Sequence, residues 1–334
     1  MFQQNKTEFR RLGANGPSVY PIGLGCMGMS WAYGPTDDTE SIATIHMALD
    51  EGINLIDTGD FYGMGHNEML IGRALKGRRD KALLSVKFGP MRSADGKAYG
   101  IDARPMAVKN FLAYTLTRLG VDHIDIYRPA RLDPQVPIED TVGAIAEMVK
   151  AGYVRYIGLS EVGPETIRRA QSVHPISDMQ IEYSLVSRGP EEKIFPVLQE
   201  LGIGVTAYAV LSRGLLSGSS VKTNGDFRAN MPRFMGENLA QNLKLSEKLK
   251  QIAGDMDVTP VQLAIAWVMA KQKYIVPILG ARKRKQLGET LGALKVKLTV
   301  EDIKRLDEAI PAAEVAGTRY GESQMKALDS ERGK

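Results

Sequence analysis

Three residues of this chain have the types and spacing needed to move a proton. Asp57 and Tyr62 lie five positions apart in Leu55-Ile56-Asp57-Thr58-Gly59-Asp60-Phe61-Tyr62-Gly63, on the loop leaving a short apolar run, Ile53 to Ile56, that has the pattern of a buried strand. Lys87 interrupts a second apolar run, Ala82 to Phe88. A lysine inside a buried strand is costly unless something pairs with it. An aspartate beside it would hold it charged, and the ammonium would in turn lower the pKa of a nearby phenol towards the working pH. That is the chemistry of carbonyl reduction. Each residue also has an ordinary structural use: Asp57 and Asp60 can shape a turn, Tyr62 can be a half-buried aromatic, and Lys87 can reach water from a strand end.

The elements that must position these groups follow a regular alternation. Arg10 to Val19 has the form of two short strands around a Gly/Asn/Pro turn, a hairpin able to plug one end of a barrel. Ile22 to Met29 is a small-residue strand whose glycines admit another backbone or a ligand. Helical patterns at Thr39–Glu51, Glu68–Lys76, Pro105–Leu119, Ile138–Ala151, Pro164–Gln171 and Glu191–Leu201 interleave with apolar strands near Ile53, Leu83, Ile124, Val154, Met179 and Val205. Gly52, Gly120 and Gly152 close helices just before strands. After a polar stretch between Leu216 and Asn238 come helices at Ala240–Gly254 and Pro260–Lys271, an eighth strand at Tyr274–Leu279, and helices at Arg284–Leu294 and Val300–Ala309, the last opened by Thr299 with Asp302. With no second composition regime, the pattern predicts a single domain over residues 1–334, an α/β (β/α)8 TIM barrel with an N-terminal β-hairpin. In such a barrel the ligand-binding loops leave the C-terminal strand ends, where Asp57, Tyr62 and Lys87 fall. The polar tail, residues 311–334, either folds over the barrel mouth or stays mobile.

Composition narrows the function classes. With 334 residues, 43% hydrophobic and 25% charged, the chain has a globular composition. A net charge of +4 without a long basic block gives no reason to expect nucleic acid, and no run approaches a membrane span. Met1 to Lys6 lacks the apolar core of a signal peptide, so the expected location is the cytoplasm. One cysteine, Cys26, excludes an internal disulfide framework and a cysteine-rich metal site, and no metal is expected. Gly23-Leu24-Gly25-Cys26-Met27-Gly28 matches the dinucleotide fingerprint only in its letters. The stronger cofactor signal is Leu279 to Ala293, where four basic residues stand at a helix start, against the positive end of its dipole. A bound phosphate reverses that sign; the alternative is a solvated cationic turn.

The stretch from Asp57 to Gly63, followed by Asn67-Glu68 and the strand ending in Lys87, resembles the catalytic signature of NADP-dependent aldo-keto reductases of the bacterial type. The resemblance implies that Tyr62 is the general acid, with Asp57 and Lys87 as its partners. It implies further that Ser160 and Gln180 hold the nicotinamide carboxamide, that Tyr208 is the shelf under the ring, and that Leu211 and Arg213 approach the pyrophosphate. Gly280, Arg282, Gln286 and Thr290 would line the 2'-phosphate end, although relatives more often have an amide where Thr290 stands. Gly28 and Met29 are placed at the cofactor, and Met29, Trp31 and Tyr33 suggest an apolar, partly aromatic mouth. The substrate implied is a small carbonyl compound. Ala209-Val210 replaces the usual Ser-Pro.

One position breaks the pattern. Family members usually carry a fourth catalytic residue, a histidine, where this chain has Ala130. Of the four histidines, His123 falls at the wrong end of its strand, and His66 lies on the catalytic loop with surface exposure expected. Strand alternation puts Arg128 on the same side as Ala130, pointing into the barrel, with Glu182 as its candidate carboxylate and Arg131 pointing the other way. The missing histidine leaves open a second function class, an NADP-binding regulatory or redox-sensing protein of the same fold with little turnover. Nothing in the sequence sets the oligomeric state.

Overall fold

In the computed structural model, which describes residues 8–30, 32–219 and 226–332, a hairpin comes first: β1 (Arg10–Arg11) pairs antiparallel with β2 (Ser18–Val19). Trp31 lies outside the described residues. The succession is then β3 (Gly23–Gly25), α1 (Asp38–Asp50), β4 (Leu55–Gly59), α2 (His66–Ala74), β5 (Leu83–Phe88), β6 (Pro90–Arg92), β7 (Ala98–Ile101), α3 (Pro105–Leu119), β8 (Ile124–Pro129) and α4 (Ile138–Lys150). It continues with β9 (Val154–Ser160), α5 (Pro164–Val173), β10 (Ile176–Glu182), α6 (Pro190–Glu200), β11 (Gly204–Tyr208), α7 (Gly236–Asp255), α8 (Pro260–Lys271) and β12 (Ile275–Gly280). Then α9 (Arg284–Leu291), α10 (Val300–Ala309) and α11 (Glu322–Ala327) complete the described chain.

Eight strands close a parallel barrel in the order β3-β4-β5-β8-β9-β10-β11-β12, and β12 returns to β3. The fold is the expected (β/α)8 barrel. Its floor is sealed by the hairpin, since Leu12 and Val19 pack with Leu55, Ile126, Val276 and Ile278. Arg10 donates to the backbone carbonyls of Ile275 and Met269, and Ala14 N–H to that of Gly202. The chain turns there at Gly13, φ 67°, where a Cβ would lie 2.6 Å from the carbonyl oxygens of Gly202 and Ser177. A larger apolar layer fills the space between barrel and helices.

The departures from expectation are local. The strand placed at Ile53 starts at Leu55 and runs through Gly59, so Asp57 sits within β4 and not on the loop beyond it. The β6–β7 hairpin escaped the sequence reading, although its turn residues, Asp95-Gly96, were visible. In the stretch from Leu216 to Asn238 the described residues form 3-10 turns, Phe227–Asn230 and Pro232–Phe234, with Met231 and Phe234 packed on Leu215, and α7 begins at Gly236. Helix α9 stops at Leu291 and passes into a 3-10 turn, Gly292–Lys295. Thr299 and Asp302 form the expected reciprocal cap of α10. Among the described residues no helix is long and apolar enough to cross a membrane.

Candidate active site

Register brings Asp57 and Lys87 together. β4 and β5 pair with Asp57 opposite Ser85 and Gly59 opposite Lys87, and the Lys87 ammonium reaches back 2.6 Å to Asp57. The other carboxylate oxygen of Asp57 accepts from Ser85 Oγ at 2.9 Å and from the Gln180 amide at 2.8 Å. Gln180, placed by resemblance at the carboxamide, therefore also touches the acid–base cluster. Tyr62 opens a 3-10 turn whose next three residues all have positive φ: Gly63 57°, Met64 55° and Gly65 94°. This tight reversal sets the phenol ring over the strand ends, with Lys87 Nζ 5.2 Å from its centroid and Phe61 edge-on at 4.8 Å.

The electrostatics differ from the expectation that Lys87 lowers the Tyr62 pKa. Burial and the Asp57 charge push the Tyr62 hydroxyl well above the ordinary phenol range, with Arg131 pulling the other way. Burial also lowers the Lys87 ammonium, against the pull of Asp57. At the phenol burial is the largest cause, and the Asp57 charge adds to it.

Beneath this cluster lies a second buried pair, and it corrects the partner assigned to Arg128. Arg128 meets Asp178 at 2.7 and 3.1 Å, with further bonds to Ser85 Oγ and Thr206 Oγ1. Glu182 stands higher on β10 and is held instead by Arg213 at 2.7 Å and Arg233 at 3.5 Å. Asp178 pairs with Gly158 on β9, where a Cβ would come within 2.9 Å of the guanidinium carbon, so the glycine is the gap through which Arg128 reaches across. An aspartate inside the apolar run Ile176 to Ile181 was the overlooked signal. Arg131 is a further correction. β8 has ended at Pro129, alternation no longer applies, and the side chain turns over the mouth to the Ala130 carbonyl at 2.6 Å and the Tyr320 hydroxyl at 3.4 Å.

The remaining candidates ring the mouth. Ser160 on β9 neighbours Gln180 on β10, and among the described residues its buried hydroxyl has no hydrogen-bond partner; nor has that of Ser212, just beyond Leu211. Tyr208 ends β11, and its hydroxyl donates to Glu161 at 2.8 Å. The tail folds over it: Tyr320 OH lies 3.0 Å from Tyr208 OH, and Arg319 forks onto Glu161 at 2.8 and 2.5 Å. Gly280 closes β12 with nothing within 4 Å of where a Cβ would stand, and Gly28 faces the Tyr33 ring at 3.4 Å. Met29 is fully buried in the main core, not at the mouth, because the 3-10 turn Met27–Met29 directs it inward.

At the basic end, Arg282 donates to the carbonyl of Tyr33 at 2.8 Å and more weakly to those of Gly34 and Pro35. Gln286 accepts from the Arg282 N–H at 3.2 Å. Glu40 from α1 caps the first turn of α9, taking the Arg284 N–H and guanidinium at 2.9 Å each, so an anion already answers part of the dipole conflict. Thr290 is buried, its hydroxyl bonded to the Leu287 carbonyl. Phe227 and Arg228 pack on the Tyr33 ring. His66 is bonded to Ser30 at 2.9 Å and Asp38 at 3.3 Å, and His123 to Asp122.

An acid–base cluster in the barrel, an orphaned serine hydroxyl beside it and a cation-bearing helix start fit a nicotinamide dinucleotide whose carboxamide needs polar partners. The chain is similar to known proteins. The aldo/keto reductase family profile matches residues 21–311. A probable aldo-keto reductase from Glycine max is 43% identical, covering 93% of this chain and 91% of that protein. An NADP(+) aldo-keto reductase of Schizosaccharomyces pombe is 40% identical over 93% and 94% of the two chains. The solved structure of a glycerol dehydrogenase from Gluconobacter oxydans superposes with a TM-score of 0.84 at 29% identity, covering 94% of this chain and 98% of that one.

Proposed function

This chain belongs to the aldo/keto reductase family, and from that premise we propose that it reduces small aldehydes or ketones to alcohols with NADPH in the cytoplasm, with Tyr62 as general acid. Family membership supports carbonyl reduction in general and a nicotinamide cofactor. The observation that carries the finer reading is the Asp57–Lys87 pair at 2.6 Å beneath the Tyr62 ring. A bound NADPH supplies the hydride. Ser160 and Gln180 would hold its carboxamide, Tyr208 its ring, Leu211 and Arg213 its pyrophosphate, and Gly280, Arg282 and Gln286 its phosphate end. Tyr62, protonated throughout the neutral range, gives its proton to the carbonyl oxygen, and Lys87 stabilises the tyrosinate that forms. Asp57 fixes the ammonium in place.

We take Ala130 to stand where relatives carry the catalytic histidine. Losing one such donor typically costs about 3 kcal/mol of transition-state stabilisation, so simple ketones should turn over slowly and activated aldehydes or dicarbonyls faster. The test is Tyr62→Phe. NADPH affinity should survive while turnover falls by about 10²-fold or more. Undiminished turnover would assign the proton to another group, and no NADPH consumption by the parent with any carbonyl would favour the sensor reading.

A further inference from the structure

On the β8–β11 side of the barrel mouth the arginines are paired with carboxylates: Arg128 with Asp178, Arg213 and Arg233 with Glu182, and Arg319 with Glu161. Arg131 is the exception. Its guanidinium is half-buried and, among the described residues, forms no ion pair; its partners are the Ala130 carbonyl and, weakly, the Tyr320 hydroxyl and ring. Glu161, a carboxylate that acts on Arg131 electrostatically, is already clamped by Arg319. A guanidinium offers five N–H groups in a fork matched to a carboxylate, and among the described residues those of Arg131 donate only to a carbonyl and a hydroxyl oxygen.

Placement says which anion it awaits. Arg131 follows β8, which in the barrel order lies four strands from β12 and therefore opposite Arg282 and the basic start of α9. It is thus not part of the cationic end assigned to the 2'-phosphate. Its charge is felt instead at Tyr62 and Lys87. Ala130, immediately before it, contributes only a methyl where an imidazole would otherwise stand. We propose that Arg131 is a specificity-determining residue that binds the carboxylate of an anionic substrate, so that the preferred substrates are carbonyl compounds carrying a carboxylate a few bonds from the reacting carbon.

This rests on the reductase reading above and narrows its substrate class. The carbonyl carbon gains the hydride of NADPH, the oxygen gains the Tyr62 proton, and the carboxylate passes through unchanged, giving a hydroxy acid and NADP+. The guanidinium also places positive charge near the developing alkoxide, on the side left without a donor at Ala130.

The test compares succinic semialdehyde with butanal, aldehydes that differ mainly in the carboxylate, using the full chain and NADPH. The parent should favour the acid in kcat/KM by about tenfold or more, the range of one charge-assisted hydrogen-bonded contact. Arg131→Met should erase that preference, and Arg131→Lys should keep part of it. Calorimetric binding of succinate, which cannot react, should weaken by a similar factor in Arg131→Met, both with NADP+ bound and with the protein alone. Equal turnover of both aldehydes by the parent overturns the proposal while leaving the reductase reading intact. Absence of any turnover, acid or neutral, sinks the reductase reading, and succinate binding then judges Arg131 by itself. If Arg131→Met instead weakens NADPH as much as succinate, the cation serves the cofactor and the proposal is wrong.

Discussion

The barrel interior and the rim at α9 both concentrate charge, yet they handle it in opposite ways. Inside, Arg128 and Asp178 are wholly buried, and the Lys87–Asp57 pair is nearly so. At the rim the Arg284 and Glu40 side chains are 58% and 27% exposed, and Arg282 leans on backbone carbonyls. The difference follows from desolvation. A charge removed from water must be matched, so the interior charges are paired with one another within the chain. At the rim water compensates, so contacts there are provisional and a phosphate can replace them at little cost.

The largest effect that would break this contrast is on stability. Asp178→Ala strands a buried guanidinium and should cost about 3–5 kcal/mol of unfolding free energy, read by denaturant melts. Pairing it with Arg128→Met should recover much of the loss. A single variant as stable as the parent would mean the interior pair is not under the constraint described. Next comes coenzyme choice. Arg282→Ala should weaken NADPH by about 10- to 100-fold, the range of a hydrogen bond to a charged group, and NADH far less. Equal losses for both in fluorescence titrations would remove Arg282 from the phosphate end.

A smaller, pH-dependent effect sharpens the contrast at the boundary between the two regions. Burial alone would raise the Glu161 carboxyl, but Arg319, Arg131 and Ser330 hold it well below the usual carboxylate range. A group depressed on folding stabilises fully above its unfolded pKa, about 4.3, and loses that contribution as pH falls towards its folded value. Glu161→Gln should therefore be less stable than the parent at pH 7, with a shallower decline below about pH 4.5. Identical acid-unfolding profiles would remove Glu161 as an anchor of the tail. The least effect is expected from Glu40→Gln, which should leave the melting temperature nearly unchanged and tighten NADPH slightly by freeing Arg284. Marked destabilisation there would show that the rim pair is structural.

Much of the fold was legible because its signals are local. The spacing of apolar runs, the glycines after helices and the Thr299–Asp302 cap depend on neighbours in sequence, and the helices at Pro105–Leu119, Pro260–Lys271 and Val300–Ala309 lie where those signals place them. The Asp57–Lys87 pair was legible for a related reason: a lysine in an apolar strand and an aspartate at the end of another announce a pair whatever the detail between them. Asp95-Gly96 carries an equally local turn signal, and the β6–β7 hairpin forms around it.

Partner choice among charges had to wait for the folded chain. Arg128 takes Asp178 over Glu182 because the β8–β9–β10 register sets it level with Gly158 and Asp178, and no rule of alternation along one strand contains that information. Arg131 faces the mouth because β8 ends two residues earlier, and the Tyr62 phenol is raised because the packed chain buries it beside the Asp57 charge. The residue types and their spacing specified the barrel and the buried Asp57–Lys87 pair. Which charges meet, which stay unpaired and what pKa each takes were decided by register and desolvation, properties of the packed chain that arise only when distant strands are brought side by side.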